Sequence, residues 1–189
     1  MSIAYATLAE LKSYLGVAHA DDDGLLTDLL ERASAAINAY TGRNFRAEYA
    51  TRCYSASAVD GDVLTLDGDL YSVTTIKNGE GQPIAEYWLL PRNAGPPYYQ
   101  VKLKEASSYS WTFGADGEIE VYGLWGCSAE PPDDIVHACI RLAAYYYRQK
   151  DAQVFDVTAS PEQGIITVPK GMPADVKVLL SRYRRLGVF

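Results

Sequence analysis

The chain has 189 residues, is 48% hydrophobic and 22% charged, and carries a formal net charge of -7. That is an ordinary globular composition, long enough for one domain or for one domain with an insertion. The acidic balance argues against a DNA-coating protein, and the lack of any run of about 18 apolar residues argues against a membrane span.

The first residues contain no basic stretch followed by an apolar core, so they do not read as a signal peptide. Three cysteines without scaffold spacing read as reduced thiols of a protein made in the cytoplasm. The 15 tyrosines are unusual. Tyrosine has an apolar body and a polar tip, and it is enriched where proteins meet proteins.

Residues 7–15 predict a short helix. Thr7 and Glu10 have capping-box spacing, Leu8, Leu11 and Leu15 share a face, and Gly16 suits a C-terminal stop. A second helix is expected from Asp23 to Thr41, with Leu25, Leu26, Leu29, Leu30, Ala33, Ile37 and Tyr40 at helical spacing and Gly42 as its end. Asp21, Asp22, Asp23 and Gly24 invite a calcium-loop reading. Aligning Gly24 with the turn glycine places His19 at the first ligand position and Leu30 at the last, so the bidentate acid is missing. Capping of the second helix is the simpler expectation.

The period then changes. Residues 49–54, 62–66, 71–77, 86–90, 98–103, 108–113 and 118–125 read as short strands, rich in β-branched and aromatic residues. Turn signals separate them at Asp60-Gly61, Asp67-Gly68, Asn78-Gly79, Gly95-Pro96-Pro97 and Asp116-Gly117. The last of these predicts a hairpin between the final two strands.

Residues 130–150 predict the strongest helix. Pro131 and Pro132 suit its first turn, and Asp133 and Asp134 place negative charge at its positive end. Ile135, Ala138, Cys139, Leu142, Ala143 and Tyr146 form one apolar stripe. Tyr145, Tyr146 and Tyr147 cover nearly the whole circumference at one level, so Tyr145 and Tyr147 are candidates for a subunit interface. The following stretch, 151–171, reads as a loop or, at Ile165 to Val168, as an edge strand. A last helix is expected from about Pro173, with Val176, Leu179, Leu180 and Tyr183 on one face. Lys177, Arg182, Arg184 and Arg185 are expected on the other.

Signals for chemistry are weak. His137 and Cys139, two apart on a helix, point to different faces, so they do not join Cys127 in a zinc site. Glu118 and Glu120 could share a strand face as a carboxylate pair, but solvated strand charges explain them more simply. No phosphate loop and no nucleophile elbow appears. The expectation is no catalytic residue, no metal and no cofactor.

The layout resembles the head–tail connector (adaptor, or head-completion) family of long-tailed bacteriophages. The residues that carry the resemblance are 7–45, 119–150 and 168–186, the last reading VPKGMPADVKVLLSRYRRL. The resemblance implies a structural virion protein at the head–tail junction, not an enzyme. It implies a ring, commonly a dodecamer, beneath the portal protein; a free monomer before assembly is compatible with this, since a preformed portal can supply the ordering interface. Genomic DNA passes through the ring without sequence-specific binding, and a downstream connector or tail protein attaches on the far side. It also implies that the terminal helix engages the portal, which makes Lys177, Arg182, Tyr183, Arg184 and Arg185 the candidate docking group. A tail-completion protein and a protein-binding module built on the strands are the alternatives. The expected fold is α+β: a bundle of about four helices (1–48 and 128–189) with an antiparallel β insertion (49–127) between the second and third helices.

Overall fold

The computed structural model describes residues 4–114, 117–151 and 171–185. Its helices are α1 (Leu8–Leu15), α2 (Asp23–Thr41), α3 (Asp133–Asp151) and α4 (Ala174–Ser181). Its strands are β1 (Glu48–Tyr54), β2 (Val59–Asp60), β3 (Val63–Lys77), β4 (Tyr87–Leu90), β5 (Tyr98–Leu103) and β6 (Ile119–Trp125), all lying between α2 and α3. The α+β expectation therefore holds. The chain forms two compact units: a helical unit that pauses at Gly42 and resumes at Pro131, and a β unit, Arg43–Glu130.

In the helical unit α1 begins with the expected capping box. The Thr7 hydroxyl accepts from the Glu10 amide, and the Glu10 carboxylate accepts from the Thr7 amide at 2.7 Å. That amide and the Thr7 hydroxyl hold the Glu10 carboxyl below its ordinary pKa, because both hydrogen bonds favour the charged form. Gly16 ends the helix at φ 71°, a left-handed conformation that disfavours side chains with a Cβ.

Helix α2 runs as expected, but its start differs. Asp22 makes no side-chain cap. Its carboxylate instead accepts from the Tyr147 hydroxyl at 2.6 Å, so a long-range partner has displaced the local one. Leu26, Leu30, Ala33 and Ile37 of α2 are buried, as are Ile135, Ala138, Cys139 and Leu142 of α3, and the two helices pack together. Ser34 is a polar atom within this core. It donates to the Leu30 carbonyl at 2.9 Å and accepts from the Tyr5 amide at 2.9 Å, so its burial leaves no lost hydrogen bond.

The β unit is one antiparallel sheet in the order β1-β6-β3-β5-β4, with β2 paired to β3. One face is apolar and closes over a core of Leu64, Leu70, Ile76, Val101, Ile119 and Val121. Two expectations are corrected here. Asp67-Gly68 is not a turn: β3 runs straight through it, with a register shift between Thr65 and Leu70. Asp67 is held by Arg52 and by the Tyr54 hydroxyl, each at 2.7 Å, and a Cβ on Gly68 would lie 2.3 Å from the Arg52 guanidinium. The pair therefore seats an arginine rather than reversing the chain.

Residues 108–113 are not a strand. Asn78 holds this segment from the side, donating to the Ser110 carbonyl at 2.7 Å and accepting from the Thr112 amide at 2.8 Å. Trp111 and Phe113 pack on the core from there. Their alternation reflects burial without a strand ladder. The expected hairpin turn includes Asp116, which lies outside the described residues, as do Ile165 to Val168.

Candidate assembly surfaces

Three surfaces could serve assembly, two in the helical unit and one in the β unit. The first is the end of α3. Tyr145, Tyr146 and Tyr147 are all half-buried. Tyr147 is committed inward through its hydrogen bond to Asp22. Tyr146 lies beside Tyr145, with ring centroids 6.1 Å apart, and its burial pushes the phenol pKa up. Tyr145 lines an open cleft of about 140 Å3 together with Tyr14, Arg141, Arg148 and Pro173. Tyr14 is exposed and offers further apolar surface beside it.

The second surface is α4 and the residues after it. The helix ends at Ser181, so of the predicted docking group Lys177 alone lies on it. Val176 and Leu180 are buried. Arg182 is ion-paired with Asp134 at the start of α3, and the Tyr183 hydroxyl donates to the same carboxylate at 3.1 Å. The Arg184 guanidinium lies 5.5 Å from the Tyr40 ring centroid. The Arg185 amide donates to the Thr41 carbonyl at 2.8 Å. These contacts fix the segment on α2 and α3. Lys177 and Arg184 remain exposed, and neither makes an ion pair among the described residues. Between them Val178 is 74% exposed. Sequence reasoning passed over Val178; the available signal was one apolar residue on the polar face of an amphipathic helix.

The third surface belongs to the β unit, whose two chain crossings are clamped together. The Cys127 amide donates to the Asn44 carbonyl at 2.7 Å, the Ala47 amide to the Ser128 carbonyl at 3.0 Å, and the Ser128 hydroxyl to the Phe45 carbonyl at 2.9 Å. Beside them the Arg43 guanidinium donates to Asp69 at 3.1 Å, to the Tyr99 hydroxyl at 3.3 Å and to the Cys127 sulfur at 3.4 Å. Burial opposes the charge on Arg43, yet Tyr99, Asp69 and Cys127 outweigh it and raise its pKa. On the outer face of the sheet Tyr49 is 67% exposed and stacks on Tyr122, at 5.9 Å between centroids. At the other edge Trp88 is exposed as well.

Little here resembles a reaction centre. His137 is exposed, and His19 is exposed beside Asp21. Cys139 is buried, and burial pushes its thiol pKa up, the opposite of an activated nucleophile. Among the described residues no three His, Cys, Asp or Glu side chains are grouped to hold a metal ion. No helix among them is long and apolar enough to cross a membrane.

Comparison with solved structures places this fold among particle components. A chain from the neck of an empty GTA particle computed with C6 symmetry is 24% identical, with a TM-score of 0.66, covering 98% of this chain and 92% of that one. A chain from the virion of a native gene transfer agent particle is also 24% identical, with a TM-score of 0.63 and the same coverage, 98% and 92%. A chain from the neck of the native GTA particle computed with C12 symmetry is 23% identical, with a TM-score of 0.63, covering 98% of this chain and 91% of that one. At such identities the likeness is one of fold. No curated protein matches the chain. The family model for the head completion protein matches residues 4–186, which takes in both units. On that match the chain belongs to the head completion protein family.

Proposed function

We propose that this chain is a structural connector at the head–tail junction of a phage-like virion. The family match across residues 4–186 carries the reading. The related folds lie in particle necks computed with C12 and C6 symmetry, which supports a ring, with a dodecamer as its natural size. The protein works by geometry rather than catalysis. Subunits pack laterally under the portal protein, extend the DNA channel, and offer their far side to a downstream connector or tail protein. The net charge of -7 suits DNA passage, since like charge prevents sticking.

The segment of α4 through Arg185 is the portal-facing element. Arg182, Tyr183 and Arg185 anchor it to α2 and α3, and this leaves Lys177, Val178 and Arg184 to meet the portal. Tyr145, on its open cleft, is the lateral contact of the helical unit. Tyr147 is half-buried beside it and held by Asp22.

Tyr145→Asp tests this division. It is expected to weaken assembly on isolated portal rings by about tenfold or more, as loss of an interface aromatic does. The monomer's melting temperature should move little. Native mass spectrometry of portal with connector reads the stoichiometry. Twelve bound copies of the variant at wild-type concentrations would sink the assignment of Tyr145.

A further inference from the structure

The sheet of the β unit ends in two open edges, and their chemistry differs. At the β4 edge Trp88 is 40% exposed. The Arg92 guanidinium lies 3.7 Å and the Lys104 ammonium 4.7 Å from its ring centroid. Lys102 pairs across the ladder with Trp88. Arg92, Lys102 and Lys104 make no ion pair among the described residues. Glu86 lies opposite Lys104, whose amide donates to its carbonyl at 3.0 Å, and Glu105 follows, so the cations outnumber the acids there.

The β1 edge is the converse. Glu48–Tyr54 is a seven-residue strand with most positions exposed, and it carries neither proline nor lysine. Such an edge is an open template for pairing unless something covers it. Tyr49 and Tyr122 make an exposed aromatic pair there. Inward from this edge, Cys53 of β1, Glu118 and Glu120 at β6 and Lys77 of β3 line an open cleft of about 290 Å3. Lys77 partly offsets Glu120, at 3.6 Å, whereas Glu118 makes no ion pair among the described residues. Desolvation chiefly, and then Glu118 and Glu120, push the Cys53 thiol pKa up.

The two edges lie at opposite ends of one sheet. A contact between opposite ends of a subunit is heterologous, and it repeats until a ring closes. We propose that the β4 edge of one copy, with Trp88, Arg92 and Lys104, seats on the β1 edge of the next copy and the β6 surface beside it, with Tyr49 on β1, Tyr122 and Glu120 on β6, and Glu118 just before β6. The occupant is a second copy of this chain, and the proposal rests on the ring reading above. Exposed aromatics at both edges suit a desolvated protein contact. Opposite charge sets its register and suppresses wrong partners. Nucleic acid fits less well. The Trp88 ring is already engaged by two cations, and three cations per chain within a net charge of -7 make a poor phosphate track.

A charge swap in particles lacking the native chain tests the contact. Arg92→Glu with Lys104→Glu should cut the yield of tailed particles by about tenfold or more, as should Glu118→Lys with Glu120→Lys, because each sets like charges against each other. All four changes in one chain restore opposite charge at every contact. They should bring the yield back to within about threefold of wild type. Melting curves of the purified variants show that each folds, and a misfolded pair could not be rescued by two further changes. Zero-length carbodiimide treatment of wild-type particles should join Lys104 of one copy to Glu118 or Glu120 of another. Full activity of either charge-reversed pair overturns the proposal. So does a fourfold variant no better than its parents, and if wild-type chain also binds a duplex DNA fragment that the Arg92→Glu, Lys104→Glu variant releases, the patch is a DNA contact. If particles without the chain are normal, the connector reading itself falls; if they lack tails but the swap fails, this edge contact alone does.

Discussion

Replacing Asp69 with Ala is expected to destabilise the β unit by about 3–5 kcal/mol, the cost of leaving a buried charge without its partner. Asp69 is 7% exposed, and its carboxylate accepts from Arg43 at 3.1 Å. Arg43 is the first residue of the unit, and Cys127, which also accepts from it, lies near the last. Without the carboxylate the guanidinium loses its 3.1 Å ion pair, and the clamp that closes the unit loses that charge–charge contact. The pair itself need not be stabilising, since its desolvation can cancel its attraction. The sharper expectation is therefore a non-additive one. Asp69→Ala with Arg43→Met should cost clearly less than Asp69→Ala alone. Denaturant titration gives the magnitudes, and amide hydrogen exchange places the loss within residues 43–130. A cost below about 1 kcal/mol for Asp69→Ala would show that Arg43 is satisfied some other way.

Leu142→Ala should cost the helical unit about 2–5 kcal/mol, the range for a buried leucine whose cavity cannot collapse. Leu142 is fully buried on the stripe that faces α2, and α3 packs against α1, α2 and α4, so the void opens among helices held on several sides. Exchange should quicken in α1, α2 and α3 and spare residues 43–130. Equal quickening of the β unit would mean that the two units unfold as one. A cost below about 1 kcal/mol would mean that the helices close over the cavity.

What the sequence showed, and what it hid, divide by range. The capping box of Thr7 and Glu10, the glycine stops at Gly16 and Gly42, and the stripe from Ile135 through Leu142 are local patterns, and each was legible. The capping of α2 expected from the Asp21–Gly24 stretch is not made by Asp22, the N-cap residue, whose carboxylate accepts from Tyr147, 125 residues away. The predicted turn at Asp67-Gly68 failed because Arg52 and Tyr54, on another strand, occupy that carboxylate. Residues 108–113 carry a strand's alternation, yet Asn78 captures their backbone from a distant turn.

The assembly surfaces follow the same rule. The cations at Lys177, Arg182, Arg184 and Arg185 were visible as a group. That Arg182 and the Arg185 backbone are tied to the bundle while Arg184 stays exposed beside Tyr40 depends on Asp134, Thr41 and Tyr40, none of them near in sequence. The exposed aromatics Tyr49, Tyr122 and Trp88 could not be told from core residues, because alternation reports two faces without saying which is covered.

Electron microscopy of particles assembled without this chain tests the connector role most directly. The account predicts DNA-filled heads without tails, because the portal has lost the surface on which the tail or next connector seats. Normal tailed particles in that preparation would contradict it.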